Sequence, residues 1–376
     1  MVETADPPKH ALQSANRLKL GLFGLNVDNA CAATRIDGVF HPTWANVKAI
    51  TGKADAAGFD ALVPVARWRG FGGEIDFNGA CYETYAWAAG LGEATKNPAV
   101  FSTSHVPTIH PIVAAKQATT IDHISNGRFA LNIVTGWYEP ELEMFGAPVM
   151  EHEERYKYAD EWLQIVKMLW TREDEFDFEG KYFKIKRGFH QPKPIQKPFP
   201  PVMNAGGSQT GRHFAAKNCD MIFVHIKGED IESARRDIEE VRKLARQEYG
   251  REIQVWANTY CVIGDTDAEA LKFRDWYVNE MGDWEAINNL VGGIGLTSKV
   301  LPPDMLEAAK YHFIAGFGGY PLVGTKDRIA SELQKLSDVG LDGALLSYPR
   351  YEEGLTRFIA EVMPLLVQQG LRAPLA

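Results

Sequence analysis

Polar residues at the ends of apolar strands are where this chain carries the means for chemistry. Thr103 and His105 close the run VFSTSH, and Asn132 interrupts ALNIV, which leads into Thr135-Gly136-Trp137. An amide inside a strand that is apolar on both faces costs stability until something satisfies it. Either a neighbouring loop bonds Asn132, or the residue serves a ligand at the strand's C-terminal end, where parallel α/β folds carry their sites. If the two strands are adjacent, Thr103 and Asn132 face one pocket as uncharged hydrogen-bond donors. Such donors suit a small reactant that gains negative charge, as an oxyanion or a peroxide does.

Two further stretches are of the same kind. Ala66-Arg67-Trp68-Arg69-Gly70-Phe71-Gly72-Gly73 follows an apolar strand. Its arginines can grip a planar polar ring, and its glycines let backbone approach a ligand; the plainer reading is a solvated arginine pair on a loop. Asn204-Ala205-Gly206-Gly207-Ser208 precedes a helix starting near Gln209. Free amides at a helix N-terminus with a serine hydroxyl form an anion site, so this loop is a phosphate candidate. Arg155 and Tyr156 stand to close on the same phosphate, or Arg155 pairs with Glu151 or Glu154. His225, at a strand end, either faces the pocket or is hydrogen-bonded structure, and the aromatics Trp68, Phe71 and Tyr138 fall near the mouth. The ten histidines show no HxH or HExxH spacing, GxSxG is absent, and the four cysteines are scattered, so neither a metal site nor a serine nucleophile is indicated.

These residues need a scaffold that repeats. Thr43 opens an amphipathic helix through Ala57, Gly58 stops it, and Asp60 leads into ALVPV. The phrase returns in SDVGLDGALLSY, with Gly340 and Asp342, and in AAKNCDMIFVH, with Asn218 in the glycine's place and Asp220 before the strand. A helix ending in the left-handed conformation, then an aspartate and an apolar strand, is the chemistry of a short αβ joint. Strands are expected at 18–25, 60–65, 99–105, 128–134, 201–205, 221–225, 254–262 and 343–347, with Asn126-Gly127 as the turn before the fourth. Eight βα units predict an α/β protein, a (β/α)8 TIM barrel with insertions, the doubly wound open sheet being the rival. Residues 18–370 are expected to form one domain, residues 1–17 a lead or strap. Insertions are expected at 175–199, read as a β-hairpin with a Pro/Lys-rich connection, and at the glycine-rich 281–323.

The totals narrow the classes. A 376-residue chain with 45% apolar and 24% charged residues has the composition of a soluble globular protein. A net charge of −9 argues against nucleic acid or an anionic membrane as partner. No apolar run reaches bilayer length, and the first sixteen residues lack the apolar core of a signal peptide, so the cytoplasm is the expected location.

In chain order, ARWRGFGG, TIDHISNGRFALNIVTGW, ERYKY, NAGGS and LVGTKDRIASELQKLSDVGLDGALLSYPRYEEGL resemble the bacterial-luciferase-like flavin monooxygenases. Within that superfamily the chain is most similar to the pyrimidine oxygenases, then to the dimethylsulfone monooxygenases. The resemblance implies a (β/α)8 barrel using dioxygen and reduced FMN, the latter supplied by a separate NAD(P)H-dependent flavin reductase. It places Ala66 and Arg67 at the flavin ring, Asn132 and Glu141 in contact with FMN, and Arg155, Tyr156 and Ser208, with Gly206 and Gly207, at its phosphate end. It places Thr103, Asn132 and Trp137 in the dioxygen pocket, with peroxide formed at flavin N5. It further implies a homodimer or homotetramer that cleaves a carbon–heteroatom bond in a pyrimidine-like heterocycle, a sulfone or sulfonate, or a haloaromatic. A deazaflavin-dependent oxidoreductase and a non-catalytic flavin-binding protein are the alternatives on the same barrel.

Overall fold

A computed structural model describes residues 10–147, 149–226, 230–296 and 300–374; the first nine residues of the expected lead and residues 297–299 of the expected second insertion lie outside them. The strands are β1 (Lys19–Phe23), β2 (Ala61–Val63), β3 (Ala99–His105), β4 (Phe129–Val134), β5 (Phe176–Glu179), β6 (Lys184–Gly188), β7 (Val202–Asn204), β8 (Met221–Val224), β9 (Gln254–Ile263), β10 (Tyr320–Gly324) and β11 (Gly343–Ser347). Parallel pairing runs β1-β2-β3-β4-β7-β8-β9-β11 and returns to β1, closing an eight-stranded barrel with helices between its strands. The (β/α)8 expectation is met. Alternate residues point inward: Val63, Phe101, Ala130, Met203, Met221, Trp256 and Leu345 fill the barrel, and Leu12 joins them from the N-terminal lead. Among the described residues, no helix is long and apolar enough to cross a membrane.

The repeated joint has a definite job. Asp60 Oδ2 accepts the backbone N–H of Leu20 at 2.8 Å, Asp220 Oδ2 that of Val202 at 2.9 Å, and Asp342 Oδ2 that of Val255 at 2.7 Å. Each aspartate at the foot of one strand thus satisfies a donor of the strand beside it, which otherwise faces the barrel's lower rim. Each also meets an arginine: Arg372 for Asp60, Arg251 for Asp220 at 3.1 Å, and Arg242 for Asp342 at 2.7 Å. Gly58 and Gly340 take the expected positive φ, but Asn218 does not. The helix Gln209–Asn218 instead runs directly into extended Cys219, and the Asn218 amide donates to Asp160 Oδ1 at 2.9 Å. An aspartate in the joint therefore does not require a left-handed residue before it.

The segment 175–199 contains the expected hairpin, β5 with β6, packed on the helix His152–Thr171 through Tyr158 and Phe183. The segment 281–323 holds more order than its glycines announce. It carries the helices Trp284–Gly293 and Pro303–Gly316 and most of β10. The strand β9 is ten residues long; its first part pairs with β8 and its last five residues pair with β10 above the barrel rim. This raised edge roofs one side of the C-terminal mouth.

Candidate active site

At that mouth β3 and β4 lie side by side with Thr103 opposite Asn132. Asn132 Nδ2 donates to Thr103 Oγ1 at 3.2 Å, and the Thr103 hydroxyl donates to the Pro64 carbonyl at 2.7 Å. The two uncharged groups are therefore linked in series. The Thr103 proton is engaged by backbone, which leaves the second amide proton of Asn132 as the donor not used in this chain. Thr103, Asn132, Trp137, Ala66, Arg67, His225 and Gly207 all line one cavity of about 280 Å³. Its other walls include Phe23, Phe223, Asn258, Leu290, Phe313 and Phe317.

Arg67 and Glu141 sit beside this cavity, 4% and 1% exposed. Arg67 Nη1 lies 3.3 Å from Glu141 Oε1, which also accepts the backbone N–H of Trp68 at 2.7 Å and of Arg69 at 3.2 Å. The guanidinium carbon stands 4.5 Å from the Phe71 ring centre, 5.3 Å from Trp137 and 5.4 Å from Tyr138. Of the aromatics expected near the mouth, Phe71 is wholly buried in this arginine cage, and Tyr138 hydrogen-bonds Gly70. Trp68 points out, 41% exposed and edge-on to Phe145.

His105 Nδ1 is 3.5 Å from Glu141 Oε2. Burial, with Arg67 beside it, lowers the His105 pKa to about 3, so the ring is neutral at ordinary pH. Burial likewise lowers His10 to about 4. The unfolded chain takes up these protons near pH 6.5 and the folded chain does not, so folding stability falls on acidification below that value. The slope approaches about 1.4 kcal/mol per pH unit for each histidine. Denaturation midpoints at pH 7 and pH 5 should show the loss, and His105→Gln should remove that residue's share of it.

The loop after β7 forms the second half of the site. Ser208 caps the helix Gln209–Asn218, its Oγ accepting the Gly211 N–H at 3.1 Å. The Tyr156 hydroxyl reaches Ser208 and Thr135. A Cβ at Gly206 would lie 2.8 Å from the Tyr156 hydroxyl oxygen and 2.7 Å from Gly211 Cα, whereas one at Gly207 would meet nothing. Glycine at 206 is thus set by close approach. Arg155 makes neither ion pair anticipated for it. Its Nη1 donates to the Gly136 carbonyl at 2.7 Å, and it borders an adjoining cavity of about 450 Å³ with Trp137 and Tyr138. Glu154 pairs with Lys157 and Lys181 instead.

Buried polar atoms without a protein partner mark where a ligand's polar atoms are received. Among the described residues these include Asn132 Oδ1, Asn258 Oδ1 and Arg67 Nε, all on residues of the 280 Å³ cavity. Ala205 and Gly207, just before the helix that Ser208 caps, line this cavity, and the set fits a planar heterocycle bearing a phosphate tail, as FMN is. His105 and Asn258 add to the residues singled out from sequence for ligand contact. Asn258, a lone amide in an apolar strand, carried the same signal as Asn132.

A sequence model of the family described as luciferase-like monooxygenase matches residues 22–343. The pyrimidine monooxygenase RutA of Acinetobacter baylyi is 31% identical over 358 residues, covering 94% of this chain and 95% of that protein. The FMNH2-dependent dimethylsulfone monooxygenase of Pseudomonas putida is 28% identical, covering 86% and 88%. Among solved structures, riboflavin lyase RcaE with modified FMN and riboflavin superposes with a TM-score of 0.84 at 23% identity, over 95% of this chain and 92% of that one. The long-chain alkane monooxygenase LadA gives a TM-score of 0.82 at 23% identity, covering 96% and 94%. The fold, the span of the family match and the identity to curated relatives agree: the chain belongs to the luciferase-like monooxygenase family.

Proposed function

We propose that this luciferase-like monooxygenase is the oxygenating component of a two-component system that cleaves a carbon–heteroatom bond in a small organic molecule. Membership of the family makes it an FMN-dependent monooxygenase. When bound, reduced FMN supplies the electrons that activate dioxygen. A separate NAD(P)H-dependent reductase provides the reduced flavin in this reading, and a cytoplasmic homodimer or homotetramer is its expected form. The observation that carries the reading is that the loop after β7, through Ala205 and Gly207, lines the same cavity as the hydrogen-bonded Thr103–Asn132 pair.

In this reading Ser208, Tyr156 and the free amides of the glycine loop hold the phosphate, with Arg155 closing on it. Ala66, Arg67, Asn132 and Glu141 border the ring. Asn132 offers its unused amide proton to oxygen as that molecule gains charge, and Thr103 fixes the amide's orientation. Trp137 and the arginine cage keep water from the reacting atoms.

Anaerobic titration with reduced FMN, then admission of air with candidate heterocycles, sulfones, sulfonates and haloaromatics, tests the proposal. Tight binding of reduced flavin and oxygenated product are expected. Preference for reduced deazaflavin, or tight retention of oxidised flavin without product, would remove it. Mass spectrometry of the released flavin reads whether oxygen was attached at N5, where a flavin-N5-oxide is expected, or at the ring carbon. Gly206→Ala gives a narrower check. Its Cβ would displace the Tyr156 hydroxyl, and reduced-FMN affinity should fall by about tenfold or more, equivalent to about 1.4 kcal/mol.

A further inference from the structure

We propose that a second cavity, behind the wall that carries Thr103, is filled with water and passes protons between bulk solvent and the reaction cavity. The path is a property of the folded chain; only its use in oxygenation rests on the flavin-monooxygenase reading. The cavity measures about 170 Å³, room for roughly five waters at about 30 Å³ each. Ala66, Arg67, Thr103 and His105 line both this cavity and the 280 Å³ one, so these four residues form the partition between them. Trp68 and Phe145, each 41% exposed, line it from the surface. The chain after Cys81 builds its outer wall. Glu83 caps the helix Thr84–Ala94, its carboxylate accepting the N–H of Tyr85 at 3.0 Å and of Ala86 at 2.7 Å. The Thr84 hydroxyl donates to the Thr103 carbonyl at 2.8 Å, which fastens this helix to β3 and brings the Tyr85 hydroxyl to Ser104.

Polar atoms that the protein leaves unanswered crowd this space. Among the described residues, the Tyr85 and Ser104 hydroxyls, His105 Nδ1, Gln117 Oε1, and Arg67 Nε and Nη1 lie buried without a hydrogen bond of ordinary geometry. All of them belong to residues of this lining, and Tyr85, Ser104, His105 and Arg67 are each 5% exposed or less. Each such atom costs free energy if it stays dry, and water, which both gives and takes hydrogen bonds, satisfies donors and acceptors together. Dioxygen, an apolar molecule, would gain nothing from such a lining. Hydroxyls and an imidazole also do more than hold water, since each can accept one proton as it gives another. A proton taken from bulk water, whose conjugate base stays outside, passes along the waters and the Tyr85 and Ser104 hydroxyls to one ring nitrogen of His105. The ring releases the proton on its other nitrogen to the reaction cavity, stays neutral, and recovers its tautomer by turning over. No electron moves, and the reverse sequence carries a proton out. With the mouth filled by flavin and substrate, this rear path keeps the oxygen pocket in protonic contact with solvent as dioxygen gains charge.

Exchange of the His105 ring N–H with solvent, followed by magnetic resonance on the full chain with isotope-labelled histidine, reads the path without any flavin. The wild type is compared with the double variant Tyr85→Phe/Ser104→Ala and with Gln117→Leu, which strip polar atoms from the cavity while nearly keeping its volume. Exchange should slow by about tenfold or more in each variant, with thermal midpoints showing that the fold is kept. Should the double variant not fold, Ser104→Ala alone is measured in its place. With reduced FMN and air, the same variants should enlarge the solvent deuterium isotope effect on flavin oxidation while FMN affinity is unchanged. Unchanged exchange in both variants overturns the proposal, as does a crystal in which pressurised xenon, which enters dry apolar cavities, occupies this one. Slowed exchange with an unchanged isotope effect overturns the path's use in oxygenation. Failure of reduced FMN to bind would instead defeat the flavin reading, and the flavin-free exchange would still decide the path.

Discussion

Asn132→Ala is expected to leave the barrel folded and to cut coupled oxygenation by about 10²–10³-fold, the loss seen when one oxyanion donor is removed from a dry site. Reduced flavin should still be consumed, with hydrogen peroxide released in place of product. The expectation follows from position: Asn132 is buried on the strand facing Thr103, and one amide proton already goes to that hydroxyl. Removing the amide deletes the donor and leaves Thr103 Oγ1 without its incoming bond. Thr103 variants separate the two effects. Thr103→Ser keeps both the bond to Pro64 and the lone pair facing Asn132, so coupling should survive. Thr103→Val removes the acceptor that orients the amide and should lower coupling with a smaller loss than Asn132→Ala. Oxygen consumption, peroxide and product measured together read the ratio; undiminished product in Asn132→Ala would take this residue out of the reaction.

The second large effect concerns stability. Arg372 and Asp60 form an ion pair at the foot of the barrel with side chains 4% and 3% exposed. Arg372 also donates to the carbonyls of Gly58 and Leu18, while Asp60 accepts from the backbone of Leu20 and the side chains of Ser14 and Asn16. Arg372→Ala leaves the carboxylate buried without its cation, and breaking such a pair costs about 3–5 kcal/mol. Arg251→Ala makes the informative contrast. Its pair with Asp220 is 29% and 42% exposed, so solvent screens it and the expected cost stays below about 1 kcal/mol. Urea denaturation of both variants measures the difference, and similar midpoints would refute the ranking.

Much of this fold could be read from local chemistry. Thr43 and Ser208 cap helices where their hydroxyls precede the apolar period, and the Asn126-Gly127 turn takes positive φ at both residues. The aspartate joints announced the repeat, because a strand entered from a helix needs a nearby acceptor. What escaped was set by tertiary pairing. β10 lies in a glycine-rich stretch with a proline, and only the overlong β9 beside it makes those five residues a strand. In the site, residue types were legible and hydrogen-bond direction was not. Thr103 reads as a donor from sequence, but the nearest acceptor in space is the Pro64 carbonyl, on a loop thirty-nine positions away. Arg67 reads as a free cation; Glu141, on the helix Glu139–Met144, already pairs with it.

The closure beneath the barrel bears on how the protein is made. The Leu18 N–H bonds the Leu371 carbonyl at 3.2 Å, Ala373 N–H bonds Asn16 Oδ1 at 2.9 Å, and β1 takes β11 as a neighbour. The edge of β1 thus stays open until β11 at Gly343–Ser347 has been made. Until then the nascent barrel carries an exposed seam, an unpaired strand edge of the kind that invites aggregation.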